Sequence, residues 1–447
     1  MIITPFESND GETHIFVRYR HERAVREKIV KGFSAYFFVS KDEIDRLRVV
    51  YDERYHGWSI GEKTPKSLNG RPLIQIMAPS PRDVKGMRKV ADETWEGDIH
   101  YPDRFAIDTF NGDDAMPDWF PYMVRAGGFD MEWNEDGAIT AMGYTIDGNT
   151  VMQWAWHPTH GLSGREWGPY DTSECRTPHS GEWCITTFPT EKAMLEDFAN
   201  AFNLLDPDLI TTWSGNRADW PKLYERLKHH QLSFDFLSPI PDSATPPMTH
   251  LPRSGFYDDG SQVLLGRMTV DLADRNHGFE RVWKDSGNGQ LGDRRLGSVL
   301  KEAFPDNPEW WKVDMDEEMT HHELWLNHFD DFLRYHRGDI IGTDRLDREY
   351  HVTRFFMALQ RVCGVSFSSV FTVSRFARGL LRRKATWAAP TGTYDKSQHK
   401  PYGGGFVAEP KGGRHEWVAV FDFAAMYAEI QRAYNISPET LRGEVDE

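Results

Sequence analysis

The stretch Gly127-Gly128-Phe129-Asp130-Met131-Glu132-Trp133 reads as a short apolar strand that carries two acids. Residues two apart on a strand share a face, so the carboxylates of Asp130 and Glu132 point the same way. Acids planted in a sheet core are costly unless they are paired or metal-bound. A hard divalent cation, which prefers oxygen ligands, suits such a pair. The Asp-x-Glu spacing is weak by itself. Asp316-Glu317-Glu318 and Asp347-Arg348-Glu349 match it in polar helical surroundings, where a solvated face is the better reading.

Outward from this strand, AITAMGYTID (138–147) and TVMQWAW (150–156) alternate like a hairpin around Asp147-Gly148-Asn149. Thr190 is placed to cap a helix on which Met194, Leu195, Phe198 and Phe202 share one face. LITTWSG (209–215) reads as a buried strand, and Asp219 then opens a helix running to about His230. MTVDLAD (268–274) is a further strand and LGSVLKEAF (296–304) a further helix. ELWLNHFDDFLRYHRGDIIGTDRL (323–346) predicts one long amphipathic helix, with Tyr335 and Asp339 a turn apart on one face. Strands alternating with helices imply an α/β sheet domain over residues 126–345.

Residues 1–125 read as a mixed α/β N-terminal domain with strands SAYFFVS (34–40) and PLIQIMA (72–78). A helical return segment and linker fill residues 346–400, and APTGTYDKSQHKPYGGG (389–405) reads as a loop. WVAVFDFAAMYAEI (417–430) predicts a buried strand running into a helix, within a last segment spanning residues 401–447.

A chain of 447 residues holds two or three domains. Three cysteines, Cys175, Cys184 and Cys363, make no disulfide framework, so a reducing cytoplasm is the default location. No apolar run reaches the roughly 18 residues of a membrane span, and the opening MIITPFESNDGETH is not a signal peptide. The net charge of −17 argues against a general nucleic-acid binder. A groove needs only a local cluster, however, and Arg375, Arg378, Arg382, Arg383 and Lys384 supply one.

Asp219 alone is explained as readily by the helix dipole, and the Tyr335–Asp339 pair by a surface contact. The chemistry lies in the set. Four converging carboxylates, Asp130, Glu132, Asp219 and Asp339, would repel one another without metal. A pair of Mg²⁺ or Mn²⁺ ions would neutralise them and suit phosphodiester hydrolysis. A rival cluster, His157, His160, Cys175, His179 and Cys184, offers zinc ligands, but at spacings of no standard finger.

At this point the sequence resembles the DnaQ-like, ribonuclease-H-like 3′→5′ exonuclease of family B DNA polymerases. FDMEW (129–133), DPDLITTWSGNRADWPKL (206–223) and YHRGD (335–339) resemble its three motifs. The resemblance implies that Asp130, Glu132, Asp219 and Asp339 ligate two metal ions and that Tyr335 orients the attacking water. The second motif usually has Asn where Ser214 stands, at a position that holds the single-stranded 3′ end, and an aromatic where Ala218 stands. YGGGFV (402–407) resembles the family's Tyr-x-Gly-Gly element, which contacts the template strand. Tyr402, Gly404 and Gly405, with Arg382, Arg383 and Lys384, are thus the expected DNA contacts. FDFAAMYAEIQRAYNISPETL (421–441) resembles polymerase motif A, in its last residues most like the archaeal and viral branch. That resemblance implies a palm metal ligand at Asp422 and, at Tyr427, the ring that stacks under the incoming sugar. Residues 1–125 loosely resemble the archaeal N-terminal domain.

No Asn-Ser-x-Tyr-Gly fingers pattern, Asp-Thr-Asp turn or thumb occurs in the chain, so the palm is partial. The expected partners are DNA, as a single-stranded 3′ end or a primer-template, and a second polypeptide completing a split polymerase. A truncated fragment, a stand-alone exonuclease and a non-catalytic DNA-binding scaffold are the alternatives.

Overall fold

A computed structural model describes residues 1–21, 24–110, 124–146, 150–159, 163–169, 182–248, 263–275, 277–312, 319–384, 389–394, 405–406, 408–409, 411–419, 421–437 and 440. Two compact units result: residues 1–33 with 100–386, and residues 34–99 with 387–447.

The first unit opens with an antiparallel meander, β1 (Ile2–Glu7), β2 (Thr13–His21) and β3 (Ala24–Val30). Arg18 and Arg20 on β2 are buried, which an unpaired guanidinium does not tolerate. Arg18 Nε lies 3.0 Å from Asp208 Oδ1 and its Nη2 2.5 Å from Asp206 Oδ2, while Arg20 also pairs with Asp208. Arg267 Nη1 adds a 3.0 Å bond to the other oxygen of Asp206. This charge network ties the meander to the loop before the strand Leu209–Thr212.

In the second unit, β4 (Tyr36–Ser40), β5 (Ser59–Ile60), β6 (Leu73–Met77) and β7 (Thr94–Trp95) form a sheet in the order β5-β6-β4-β7. The helix Ile44–Arg54 lays Leu47 and Tyr51 on Phe37, Val39 and Ile76. The chain returns to this unit at Thr391, whose carbonyl accepts from Glu96 N at 2.9 Å. Beyond it the helix Met426–Ala433 forms, but the buried strand expected from Trp417 does not. The described residues from Trp417 to Ala425 are exposed and adopt no strand. A strand is a ladder, and no described strand lies beside this one to complete it.

The main sheet of the first unit has seven strands in the order β11-β12-β10-β9-β8-β13-β14. They are β8 (Ala126–Trp133), β9 (Ile139–Ile146), β10 (Thr150–Trp156), β11 (Ser163–Pro169), β12 (Glu182–Phe188), β13 (Leu209–Thr212) and β14 (Met268–Asp271). β8, β9 and β10 run antiparallel, whereas β13 runs parallel to both β8 and β14. The mixed α/β reading is borne out.

Helices Glu191–Leu205 and Asp219–His229 share a core with one face of this sheet. Thr190 caps the first, accepting from Ala193 N at 3.2 Å, and Met194, Leu195, Phe198 and Phe202 are all buried as their spacing required. On the opposite face lies the helix Phe329–Tyr350. The single helix expected over 323–346 is two: His328, at φ −136° and ψ 54°, separates it from His321–Asn327. Asp347 also departs from the solvated face expected of it. It is buried and accepts from the amide (2.7 Å) and hydroxyl (2.8 Å) of Thr353, at the start of the helix Val352–Cys363. Asp316, Glu317 and Glu318 lie outside the described residues. Among the described residues no helix is long and apolar enough to cross a membrane.

Candidate active site

The alternation of β8 decides which way its acids face. Phe129 and Met131 enter the helix-covered core, where Phe129 stacks on Trp220 with ring centroids 5.0 Å apart. Gly128, Asp130 and Glu132 therefore face the helix Phe329–Tyr350. That helix lies unusually close to the sheet, because two facing positions lack side chains. A Cβ at Gly128 would sit 3.0 Å from the Ile340 carbonyl, and one at Gly143, which pairs with Asp130, would collide with the Ile340 side chain. The close approach brings Asp339 to the strand. Carboxylate oxygens of Asp130, Glu132 and Asp339 all lie within 4.8 Å of one another.

Asp219, the first residue of its helix, completes an electrostatic set. Burial, then Asp339, Asp219 and Glu132, push the Asp130 carboxyl well above the ordinary range. Burial raises Asp219 likewise, reinforced by Asp271, Glu132 and Asp339. Asp339 is pushed up to about 6 by burial, against the pull of Lys312. One oxygen of Asp219, Oδ2, is buried with no hydrogen-bond partner among the described residues. An orphaned carboxylate oxygen whose charge is opposed by neighbouring acids is chemically suited to a cation. The oxygen-only donor set suits Mg²⁺ or Mn²⁺.

Three side chains that sequence reasoning missed surround the acids. Lys312 Nζ lies 2.7 Å from both oxygens of Asp339 and donates to Tyr335 Oη at 2.5 Å. Burial opposes its charge, but Asp339 and Tyr335 outweigh burial and hold the ammonium well above its usual value. Tyr335 is itself raised to about 12, by burial first and Asp339 second. His321 Nδ1 meets Glu132 Oε2 at 3.1 Å, and this hydrogen bond raises the imidazole pKa. The third is His336. Burial pushes it down to about 4, so the ring is neutral near pH 7.

The His336 tautomer follows from its neighbours. The Gln153 amide nitrogen donates to Nδ1 at 3.1 Å, so Nε2 carries the proton and donates to the Asp130 carbonyl at 3.2 Å. Gln153 also donates to the Leu333 carbonyl and accepts from Arg337 Nε at 2.8 Å. Gln153→Ala removes three buried hydrogen bonds behind Asp130, among them the one to His336 Nδ1. The expected loss is about 2–3 kcal/mol of stability, read as a lower urea midpoint at unchanged m-value.

Only part of this was visible in the chain. The Thr320-x-x-Glu323 capping box that seats His321 is a local signature and is formed. Lys312 and Gln153 reach the site from distant segments, and no local pattern marks them.

The remaining expected site residues scatter. Ser214 takes a left-handed conformation (φ 68°), and its amide, like that of Asn216, donates to Asp271 at the end of β14. Arg382, Arg383 and Lys384 end the helix Val373–Lys384, where Arg383 donates to the Arg361 carbonyl at 2.7 Å. Gly405 is exposed, and Tyr402 and Gly404 lie outside the described residues. Asp422 and Tyr427 are exposed, and among the described residues no metal-ligating group gathers around Asp422. Of the rival zinc cluster, His160, Cys175 and His179 lie outside the described residues. His157 meets the Leu326 carbonyl at 3.3 Å and Cys184 is buried in the sheet.

The family described as "DNA polymerase family B, exonuclease domain" matches residues 134–275, and "DNA polymerase family B" matches residues 379–447. DNA polymerase 2 of Aeropyrum pernix is 28% identical over 80% of this chain and 43% of its own. The DNA polymerase of Thermococcus gorgonarius is 23% identical over 99% of this chain and 55% of its own. The chain thus spans about half the length of the curated relatives it matches. The solved family B DNA polymerase of Pyrobaculum calidifontis shares the fold, with a TM-score of 0.65 at 18% identity, over 100% of this chain and 59% of that one. With both parts of the family matched in order, the chain belongs to the family B DNA polymerases, carrying their exonuclease domain and the start of their polymerase domain.

Proposed function

We propose that the chain removes nucleoside 5′-monophosphates from the 3′ end of DNA, as the proofreading part of a replicative polymerase. The gathering of Asp130, Glu132 and Asp339, with Asp219 near enough to raise the Asp130 carboxyl, carries this reading. Two Mg²⁺ or Mn²⁺ ions held by these four acids would supply an activated water and charge stabilisation for the leaving oxygen. The protein's own groups do the rest. Tyr335, raised to about 12, stays protonated, and its oxygen accepts from Lys312, which leaves its proton free to orient the attacking water. His321 fixes one oxygen of Glu132, and His336 pins the Asp130 backbone. Ser214, Tyr402, Gly404, Gly405, Arg382, Arg383 and Lys384 serve as DNA contacts in this reading.

Nucleotidyl transfer needs two palm carboxylates, and residues 1–447 offer Asp422 alone. Polymerisation therefore requires palm, fingers and thumb from outside these residues, in our reading from a second polypeptide. The exposed Phe421, Phe423, Tyr427, Ile430 and Tyr434 support an apolar contact for that remainder. Incubating the purified chain with 5′-labelled single-stranded DNA and Mg²⁺ should give a ladder shortened from the 3′ end. On a primer-template with nucleotides the chain alone should add nothing. Intact DNA in the first assay refutes the nuclease, and extension in the second refutes the need for a partner.

A further inference from the structure

The turn between β1 and β2 gathers a second set of ligand atoms, remote in sequence from the nuclease acids. Ser8 N donates to the Glu12 carbonyl at 3.0 Å, and Gly11 takes φ 83° to close the turn. Asp10 Oδ1 is occupied, accepting from Glu12 N at 2.9 Å and from the Ser8 hydroxyl. Its other oxygen, Oδ2, points at His14 Nε2 from 3.6 Å. That distance is too long for a hydrogen bond. His14 is only 2% exposed, with its ring edge against Phe6, yet neither ring nitrogen has a hydrogen-bond partner among the described residues. A buried imidazole with both nitrogens idle is costly, and it is uncommon in a settled core. The carboxylate of Glu12 completes the group, whose ligand atoms all lie within 4.8 Å of one another.

We infer that Asp10, Glu12 and His14 bind one divalent transition-metal ion of the zinc class. Two ligands each roughly 2.0–2.2 Å from a tetrahedral ion stand about 3.4 Å apart, close to the spacing of His14 Nε2 and Asp10 Oδ2. One imidazole with two carboxylates selects Zn²⁺ or Co²⁺ over Mg²⁺, because a nitrogen ligand suits the softer ion. The two carboxylates are exposed and give the ion a path from solvent, while His14 anchors it to the strand. Three protein ligands leave a fourth tetrahedral position to water. The ion would clasp the hairpin to itself, since all its ligands come from five consecutive residues.

The test uses the full chain with its nuclease acids silenced by Asp130→Ala, Glu132→Ala and Asp339→Ala, dialysed against Zn²⁺ and analysed for bound metal. One zinc per chain is expected, with a higher Tm than the same protein in chelator. Adding Asp10→Asn and Glu12→Gln, both at exposed positions that leave the core intact, should weaken zinc at least about 10-fold and erase the Tm difference. His14→Gln should act in the same direction, but the exposed substitutions carry the test because they do not endanger folding. The inference falls if the silenced chain retains no zinc. It falls equally if zinc and its Tm effect persist without Asp10 and Glu12.

Discussion

Asp130→Asn is expected to cut 3′→5′ hydrolysis by on the order of 10³-fold while making the metal-free protein more stable. The two effects have one origin. Asp130 is partly buried near Asp339, Asp219 and Glu132, and every one of them raises its pKa. When charged, it is a liability to the fold. Removing the charge relieves about 1.4 kcal/mol for every tenfold by which the fold weakens the acid. In the proposed reaction the same charge gathers divalent ions, whose charge stabilisation would be worth several kcal/mol in the transition state, a rate factor of about 10³. Rates on labelled DNA in Mg²⁺ and Tm values in chelator are the two readouts. A variant that loses both rate and metal-free stability would mean that Asp130 is a structural residue, and the nuclease reading would lose its centre.

Stabilisation by Mg²⁺ should be nearly absent at pH 5 and amount to several degrees in Tm at pH 8. Unfolded aspartates titrate near 4, whereas Asp339 titrates at about 6 and Asp130 and Asp219 are raised as well. Between those values the native state binds more protons than the unfolded chain. The metal-free protein accordingly loses stability as pH rises through that window, with the full penalty reached above the folded values. For Asp339 alone, the rise from near 4 to about 6 corresponds to about 3 kcal/mol at most. Magnesium binds the deprotonated set, so it removes this penalty only where the penalty exists. Asp347 is also raised to about 6 by burial, but it lies outside the acid set and should titrate alike with and without the ion, whereas Asp271, raised to about 6 beside Asp219, belongs to the response. The difference between the Mg²⁺ and chelator curves isolates the site. An equal Mg²⁺ effect at both pH values would contradict the assignment.

The acids were legible because short periods betray them. Asp130 and Glu132 sit two apart on a strand, Tyr335 and Asp339 four apart on a helix, and both spacings force a shared face. Thr190 and its helix were legible for the same reason. What escaped was long-range or conditional. Lys312, Gln153 and His336 matter through contacts that only the folded sheet creates. The break at His328 is invisible to hydrophobic spacing, because Trp325, Phe329 and Phe332 remain in phase across it. Asp347 reads as a solvated acid until Thr353 turns back on it. The apolar run after Trp417 has strand character, but sheet structure belongs to pairs of strands and the composition of one cannot supply the other.

The two missing side chains at Gly128 and Gly143 leave the spacing of the acids, and not only their identity, open to change by mutation. A methyl group added at Gly128 would meet the Ile340 carbonyl at 3.0 Å, so strand and helix must give by a few tenths of an ångström, whereas at Gly143 it would force the tip of the Ile340 side chain aside. On the proposed nuclease reading, a chain with such a substitution would keep all its motif residues and hold its acids at an altered spacing, so intact acids in a sequence are no guarantee of the activity.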